Sequence, residues 1–335
     1  MESVSIAAVE RAVFAFRLRL VRPLPLRGGV TLTEREGLLV RVGDETGRVG
    51  WGEASPLPTF SRETLADVQA DLLHWASTGD VPTTPSARFA LEASLRHLPE
   101  EIGHATIQLN GLVVAGDGAA DQAQALVDAG YRAVKLKVGG GALEEDVARV
   151  RAVHAALSGR ATLRLDANRQ WTWDHAVAFV DAVRGCHVEY IEEPLTDPSQ
   201  LADFAKASGL PVALDESVLE MAPAQLDAHA YAKVIVLKPT FGGGWAWAEA
   251  WHKAAAALGI KVVLSAAFES GVGLQHLVAM ASQFAGDAVP VGLDTYRWLA
   301  SDVLNPGLNF AQPSVVVAHV LRHTPIDDAQ LKRLA

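Results

Sequence analysis

Four short runs decide how this chain folds: Thr162-Leu-Arg-Leu-Asp166-Ala-Asn168, Val188-Glu-Tyr-Ile-Glu192-Glu-Pro194, Val212-Ala-Leu-Asp215-Glu-Ser217 and Val234-Ile-Val-Leu-Lys238-Pro239. Each is a β-branched or leucine-rich stretch too short for a helix, and each closes on a charged residue. Alanine-rich segments of helical spacing separate and follow them, at residues 173–184, 198–208 and 245–258. Working outward, similar runs occur at residues 105–109, 133–138, 262–265 and 289–293, with further helical stretches at 117–129 and 143–157. Eight strands alternating with helices over about 190 residues predict an α/β chain folded as a (β/α)8 TIM-type barrel. An open doubly wound sheet would want a glycine fingerprint after an early strand, and there is none.

The first hundred residues read differently. Alternation at residues 13–20, 37–43 and 47–54 predicts a β-meander, followed by helices at 61–75, with Ser61 or Thr64 as cap, and at 86–98. Between the first two strands Pro23-Leu-Pro-Leu-Arg-Gly-Gly29 reads as a mobile surface loop, because proline cannot donate to a ladder. At 335 residues and 50% hydrophobic composition the chain can bury roughly 75% of its unfolded surface. Its 29 basic and 39 acidic residues leave a net charge of −10 with no basic cluster, which excludes a nucleic-acid partner. No run of about 18 apolar residues reads as a membrane span, and the first eleven residues lack the apolar core of a signal peptide, so a cytoplasmic protein is expected. Cys186, the single cysteine, excludes a disulfide framework and reads as packing.

In a (β/α)8 barrel the chemistry sits where the strands end. Here those positions carry Lys135 and Lys137, then Asp166, Glu192, Asp215 and Lys238, the last four spaced 26, 23 and 23 residues apart, one strand–helix unit per step. Consecutive strands therefore carry them around one rim. Asp166, Glu192 and Asp215 converging there would repel each other unless a cation lies among them. Oxygen-only donors favour Mg2+, with Mn2+ as the alternative. Lys137 and Lys238 would flank that metal from opposite sides. Alternation puts Lys135 on the same face as Lys137, so the neighbouring ammonium and the metal lower the Lys137 pKa and suit it to act as a base. Arg164, inward by the same alternation, either orients a carboxylate or contacts substrate. Glu193 and Glu216 fall on the other side of their strands. The triple glycines at 139–141 and 242–244 lack the continuation of a phosphate loop and read as tight turns. Trp171, Trp173, Trp245, Trp247 and Trp251 read as helix packing, and no histidines show metal-ligand spacing.

The motifs Lys135-x-Lys137, Asp166-Ala-Asn168, Glu192-Glu-Pro194, Asp215-Glu-Ser217 and Lys238-Pro-Thr240, behind an α+β region, resemble the enolase superfamily in its muconate lactonizing enzyme subgroup. The resemblance implies an N-terminal α+β domain, residues 1–100, capping a barrel at 101–302, with a C-terminal segment, 303–335, that returns to the cap. Loops near residues 24–33 and 52–59 would close over the substrate. It also implies metal ligation by Asp166, Glu192 and Asp215, and catalysis by Lys137 with Lys238 and Lys135. Residues 238–243, 265–274 and 292–295 look most like the members that dehydrate 2-succinyl-6-hydroxycyclohexa-2,4-diene-1-carboxylate to 2-succinylbenzoate, a carbon–oxygen lyase step of menaquinone biosynthesis that runs syn through an enediolate. Arg164, Asn168, Ser265, Gly292 and Arg27 are the candidate contacts to that small carboxylate substrate. The rival reading is racemisation of N-succinylamino acids by the two lysines. Dipeptide epimerisation is disfavoured, since Asp294 and Tyr296 stand where that group carries Asp-x-Asp. A Schiff-base aldolase using Lys238 would leave the rim carboxylates without a role, and a binding barrel would be expected to have lost one of these charged residues. Oligomeric state is not legible in the pattern.

Overall fold

Alternation in the first segment produces an antiparallel sheet of β1 (Glu10–Pro25), β2 (Thr31–Gly43) and β3 (Val49–Ala54). The computed structural model describes residues 10–96, 98, 105–113, 118–284 and 289–335; the expected cap–barrel division at residues 100–101 and the stretch before residue 10 lie outside the described residues. Val13, Leu38, Val40 and Val42 share one face of this sheet and pack under the helices Leu65–Thr78 and Pro85–Leu95. Thr64 starts the first helix in a capping box with Asp67. The second lies so close to β3 that a Cβ on Gly50 or Gly52 would fall 1.8 and 1.9 Å from the carbonyl oxygens of Ser94 and Ala90.

The loop expected at residues 23–29 is sheet in its first part. β1 runs on to Pro25, pairing Leu24 with Leu32 and Pro25 with Thr31 after a register shift between Arg19 and Leu24. The prolines are tolerated because no third strand pairs with this stretch among the described residues, so their missing N–H groups cost no ladder bond. Only Arg27–Gly29 forms a separate turn.

The remaining strands are β4 (Thr106–Gln108), β5 (Gly111–Val113), β6 (Ala133–Lys137), β7 (Thr162–Asp166), β8 (Val188–Glu192), β9 (Val212–Leu214), β10 (Val234–Leu237), β11 (Lys261–Leu264), β12 (Ser314–Val316) and β13 (Leu331–Arg333). β5 to β11 form one parallel sheet in sequence order. The run expected as the first barrel strand is instead β4, paired antiparallel with β12, and β5 takes the barrel position. Residues 289–293 close the barrel through single bridges, Ser265 to Gly292 on one side and Leu109 to Val291 on the other. The class expected from the sequence, a (β/α)8 barrel under an N-terminal cap, is the one observed. β13 returns to the cap sheet, with Arg333 opposite Phe14 on β1.

Two buried charges join cap to barrel. Glu53 of β3 accepts hydrogen bonds from the Ser270 N–H, the Ser270 hydroxyl and the Gly273 N–H, closing the N-terminus of helix Gly271–Phe284. Arg35 of β2, 2% exposed, donates to the carbonyls of Pro56 in the cap and of Ala267 and Phe268 in the barrel. Both Ala267 and Phe268 line the cavity described next.

Candidate active site

The parallel register places Lys137 beside Asp166 and Asp166 beside Glu192, so three charged residues arrive at one level. Asp215 directly follows β9 and Lys238 directly follows β10. These five and Lys135 line a cavity of about 500 Å³, over which the cap contributes Leu24, Leu26, Leu57 and Phe60.

Asp166, Glu192 and Asp215 are 3%, 1% and 4% exposed. Lysines meet their charge. Lys135 Nζ lies 2.9 Å from Asp166 and 2.6 Å from Glu192, and Lys238 Nζ donates to Asp215. Burial works against the Lys135 charge, but Asp166, Glu192 and Asp215 overcome it and raise the pKa. Burial likewise opposes ionisation of Asp166, yet Lys135 and Lys137 hold it well below the usual carboxylate range. In Glu192 burial prevails, helped by its two carboxylate neighbours against Lys135, and pushes the group up to about 7. For Lys137 burial is the largest cause of a lowered pKa; Lys135, Lys238 and Arg27 add to it and Asp166 opposes it.

By donor chemistry the three carboxylates suit Mg2+ or Mn2+, since the cavity wall presents oxygen donors and no imidazole or thiol. Their expected convergence on one point is not seen among the described residues. Lys135 stands between Asp166 and Glu192 while Lys238 holds Asp215, so each of the three carboxylates faces an ammonium group.

Of the other expected contacts, Asn168, Ser265 and Gly292 line the cavity. Asn168, at φ 46°, accepts a hydrogen bond from Lys137 Nζ at 3.1 Å. A Cβ on Gly292 would lie 2.8 Å from Ser265 Oγ, so glycine keeps that hydroxyl clear. Arg27 and Arg164 do not line it. Arg27 pairs with Glu216 and stacks 4.4 Å over Phe60. Strand alternation fails to place Glu216 because a short helix, Glu216–Glu220, begins immediately after Asp215. Arg164 is fully buried, two residues short of the strand end, and donates to Glu189, Asn110 and the Pro290 carbonyl. Alternation sets a residue's face, not its depth.

Sequence reasoning missed several wall residues. Phe268, at φ 64°, and Trp298 meet edge to face at 5.8 Å and close one side. Glu193 is not a wall residue and lies behind its strand as alternation places it, accepting from the Asp215 and Ser217 N–H groups and from Arg169 and fixing the turn that presents Asp215.

The family described as enolase C-terminal domain-like matches residues 118–319, and the family described as MenC, N-terminal domain, matches residues 9–98. The chain therefore belongs to the enolase superfamily. It is 32% identical over 299 residues to the o-succinylbenzoate synthase of Klebsiella pneumoniae (strain 342), an alignment covering 84% of this chain and 91% of that protein. Among solved structures, the muconate lactonizing enzyme from Pseudomonas fluorescens superposes with a TM-score of 0.83 at 20% identity, over 97% of this chain and 98% of that one, which is a likeness of fold. The dipeptide epimerase from Methylococcus capsulatus, complexed with Mg and the dipeptide L-Arg-D-Lys, superposes with a TM-score of 0.75 at 25% identity, covering 92% and 96%.

Proposed function

We propose that this chain is a lyase that dehydrates 2-succinyl-6-hydroxycyclohexa-2,4-diene-1-carboxylate to 2-succinylbenzoate, as an o-succinylbenzoate synthase of menaquinone biosynthesis. The observation that carries the chemistry is Lys137, a half-buried lysine of lowered pKa, facing three buried carboxylates in a cavity closed by the cap. Its neutral Nζ takes the proton alpha to the ring carboxylate. The carbon–oxygen bond of the ring hydroxyl then breaks, and Lys137 returns its proton to that oxygen on the same face, releasing water. Asn168 orients the Lys137 amine through Oδ1. Lys238, paired with Asp215, stabilises negative charge from the opposite side of the mouth. A divalent cation held by Asp166, Glu192 and Asp215 would supply the positive charge that offsets the one building on the ring carboxylate.

Asp294 supports the lyase over an epimerase acting on a cationic substrate. It lines the cavity, but Tyr131 and Gln312 donate to its two oxygens at 2.8 and 2.6 Å and Arg297 lies 3.2 Å away. Its charge is thus already matched within the protein. The test is turnover of the cyclohexadiene substrate by purified protein with Mg2+, with and without EDTA. Metal-dependent formation of 2-succinylbenzoate is expected. Turnover of N-succinylamino acids with none of the diene would overturn the reading.

A further inference from the structure

Asn110 has no part in the chemistry above. It is 5% exposed and lines the cavity immediately before β5. Its N–H bonds to the Val291 carbonyl, which puts it beside the Ser265–Gly292 wall, across the barrel from the three carboxylates.

One neighbour fixes the orientation of its carboxamide. Arg164 Nη1 lies 3.2 Å from Asn110 Oδ1. A guanidinium has donors only, so the amide oxygen must face it and the NH2 must face away. Arg164 is itself held, by Glu189 at Nε, 2.8 Å, and by the Pro290 carbonyl at Nη1, 2.7 Å. The Asn110 NH2 hydrogen-bonds to no acceptor among the described residues, and with its oxygen committed to Arg164 it is the group the side chain has left to offer the cavity. The group opens on the cavity rather than into the protein interior, which places it where a ligand oxygen can accept from it.

We propose that Asn110 is a substrate-binding residue, donating from Nδ2 to an oxygen of the succinyl arm, and that Arg164 is the positioning residue that holds the amide that way round. This rests on the lyase reading. There the ring carboxylate belongs to the side of the carboxylates and lysines, and the arm reaches the opposite wall, where Ser265 Oγ is the other donor. An aspartate here could also satisfy Arg164, but it would repel the arm's carboxylate.

Asn110→Asp keeps an acceptor for Arg164 while removing the NH2. A purely structural role for Asn110 predicts a KM raised by the new charge of Asn110→Asp but unchanged in the uncharged Asn110→Ala, whereas loss of the donor raises KM in both. A binding role predicts a KM for the diene raised about 10- to 100-fold with kcat within about threefold, as for loss of a hydrogen bond to a charged group made equally in ground and transition states. Arg164→Met should raise KM in the same way, with no further rise when combined with Asn110→Ala. In parallel, 2-succinylbenzoate is titrated calorimetrically into wild type and Asn110→Ala. Weaker binding by the variant supports the assignment even if turnover is absent and the lyase reading fails. Equal binding, or an unchanged KM in Asn110→Ala, overturns the assignment while leaving the lyase reading standing. No binding by wild-type protein overturns both.

Discussion

Lys137, the base of the proposed reaction, has a lowered pKa in a protein of net charge −10. Burial is the largest cause of its depression, so the effect depends on the folded cavity and not on the motif alone. Replacing it with alanine should lower kcat by about 10²- to 10⁴-fold, the usual worth of general acid–base catalysis, with little change in the thermal unfolding midpoint. Steady-state kinetics beside a thermal melt would check both; a kcat near wild type would remove Lys137 from the mechanism. Glu192→Gln should weaken Mg2+ binding by at least about tenfold, since one of three anionic oxygen donors is lost, and calorimetric titration of Mg2+ reads this directly. An unchanged affinity would move the metal elsewhere. Lys137, Asp166, Glu192, Asp215 and Lys238 were legible because strand ends of regular spacing must meet on one rim. Arg164 and Arg27 were not: the depth of the first and the partner of the second are set by Pro290 and Glu216, more than a hundred residues away along the chain.

At the scale of elements, the strands were legible wherever apolar runs recur between helices and misleading where two runs compete. β4 and β5 are both short and apolar, and only the return of β12 decides which of them is left for the barrel. The prolines of β1 misled for a related reason, because whether a missing N–H matters depends on a neighbour the local sequence does not show. β3 offers a test in the other direction. Its glycines are not turn residues; they let the helix Pro85–Leu95 rest on the strand backbone. Gly52→Ala should destabilise by about 1–3 kcal/mol, the cost of overpacking, because the atom met at 1.9 Å is a backbone oxygen that cannot swing aside. Urea unfolding compares the variant with wild type, and a difference near zero would mean the helix can shift without loss.

Across the whole molecule, cap and barrel meet through buried ionisable groups whose pKa values move in opposite directions. Glu269, bonded to Thr240 and the Ala267 N–H and close to Glu53, is raised from 4.5 to about 7, mainly by burial. His276, in the barrel helix with Nε2 3.2 Å from the Trp51 carbonyl of the cap, is lowered by burial from 6.5 to about 4. Between pH 4.5 and 7 the folded chain binds more protons at Glu269 than the unfolded chain does, so that contribution is full below 4.5 and is lost as pH rises through 7. At His276 the unfolded chain binds more protons between pH 4 and 6.5, so its contribution is present above 6.5 and lost as pH falls through 4. Each is on the order of 3 kcal/mol, and over the shared interval they oppose each other. Glu269→Gln keeps the pattern of the protonated acid, with its oxygen accepting from Ala267 N–H and its NH2 donating to the Thr240 hydroxyl. Subtracting the wild-type stability curve from that of the variant, by urea unfolding from pH 4 to pH 8, should therefore give a difference that grows in the variant's favour from pH 4.5 to 7 and then levels. Relief of Glu53 acts with the same sign. The variant's own curve should rise from pH 4 to 6.5 as His276 is unmasked. A flat difference curve would mean that Glu269 is ionised as readily in the folded chain as in the unfolded one, and that the cap rests on the barrel without this cost.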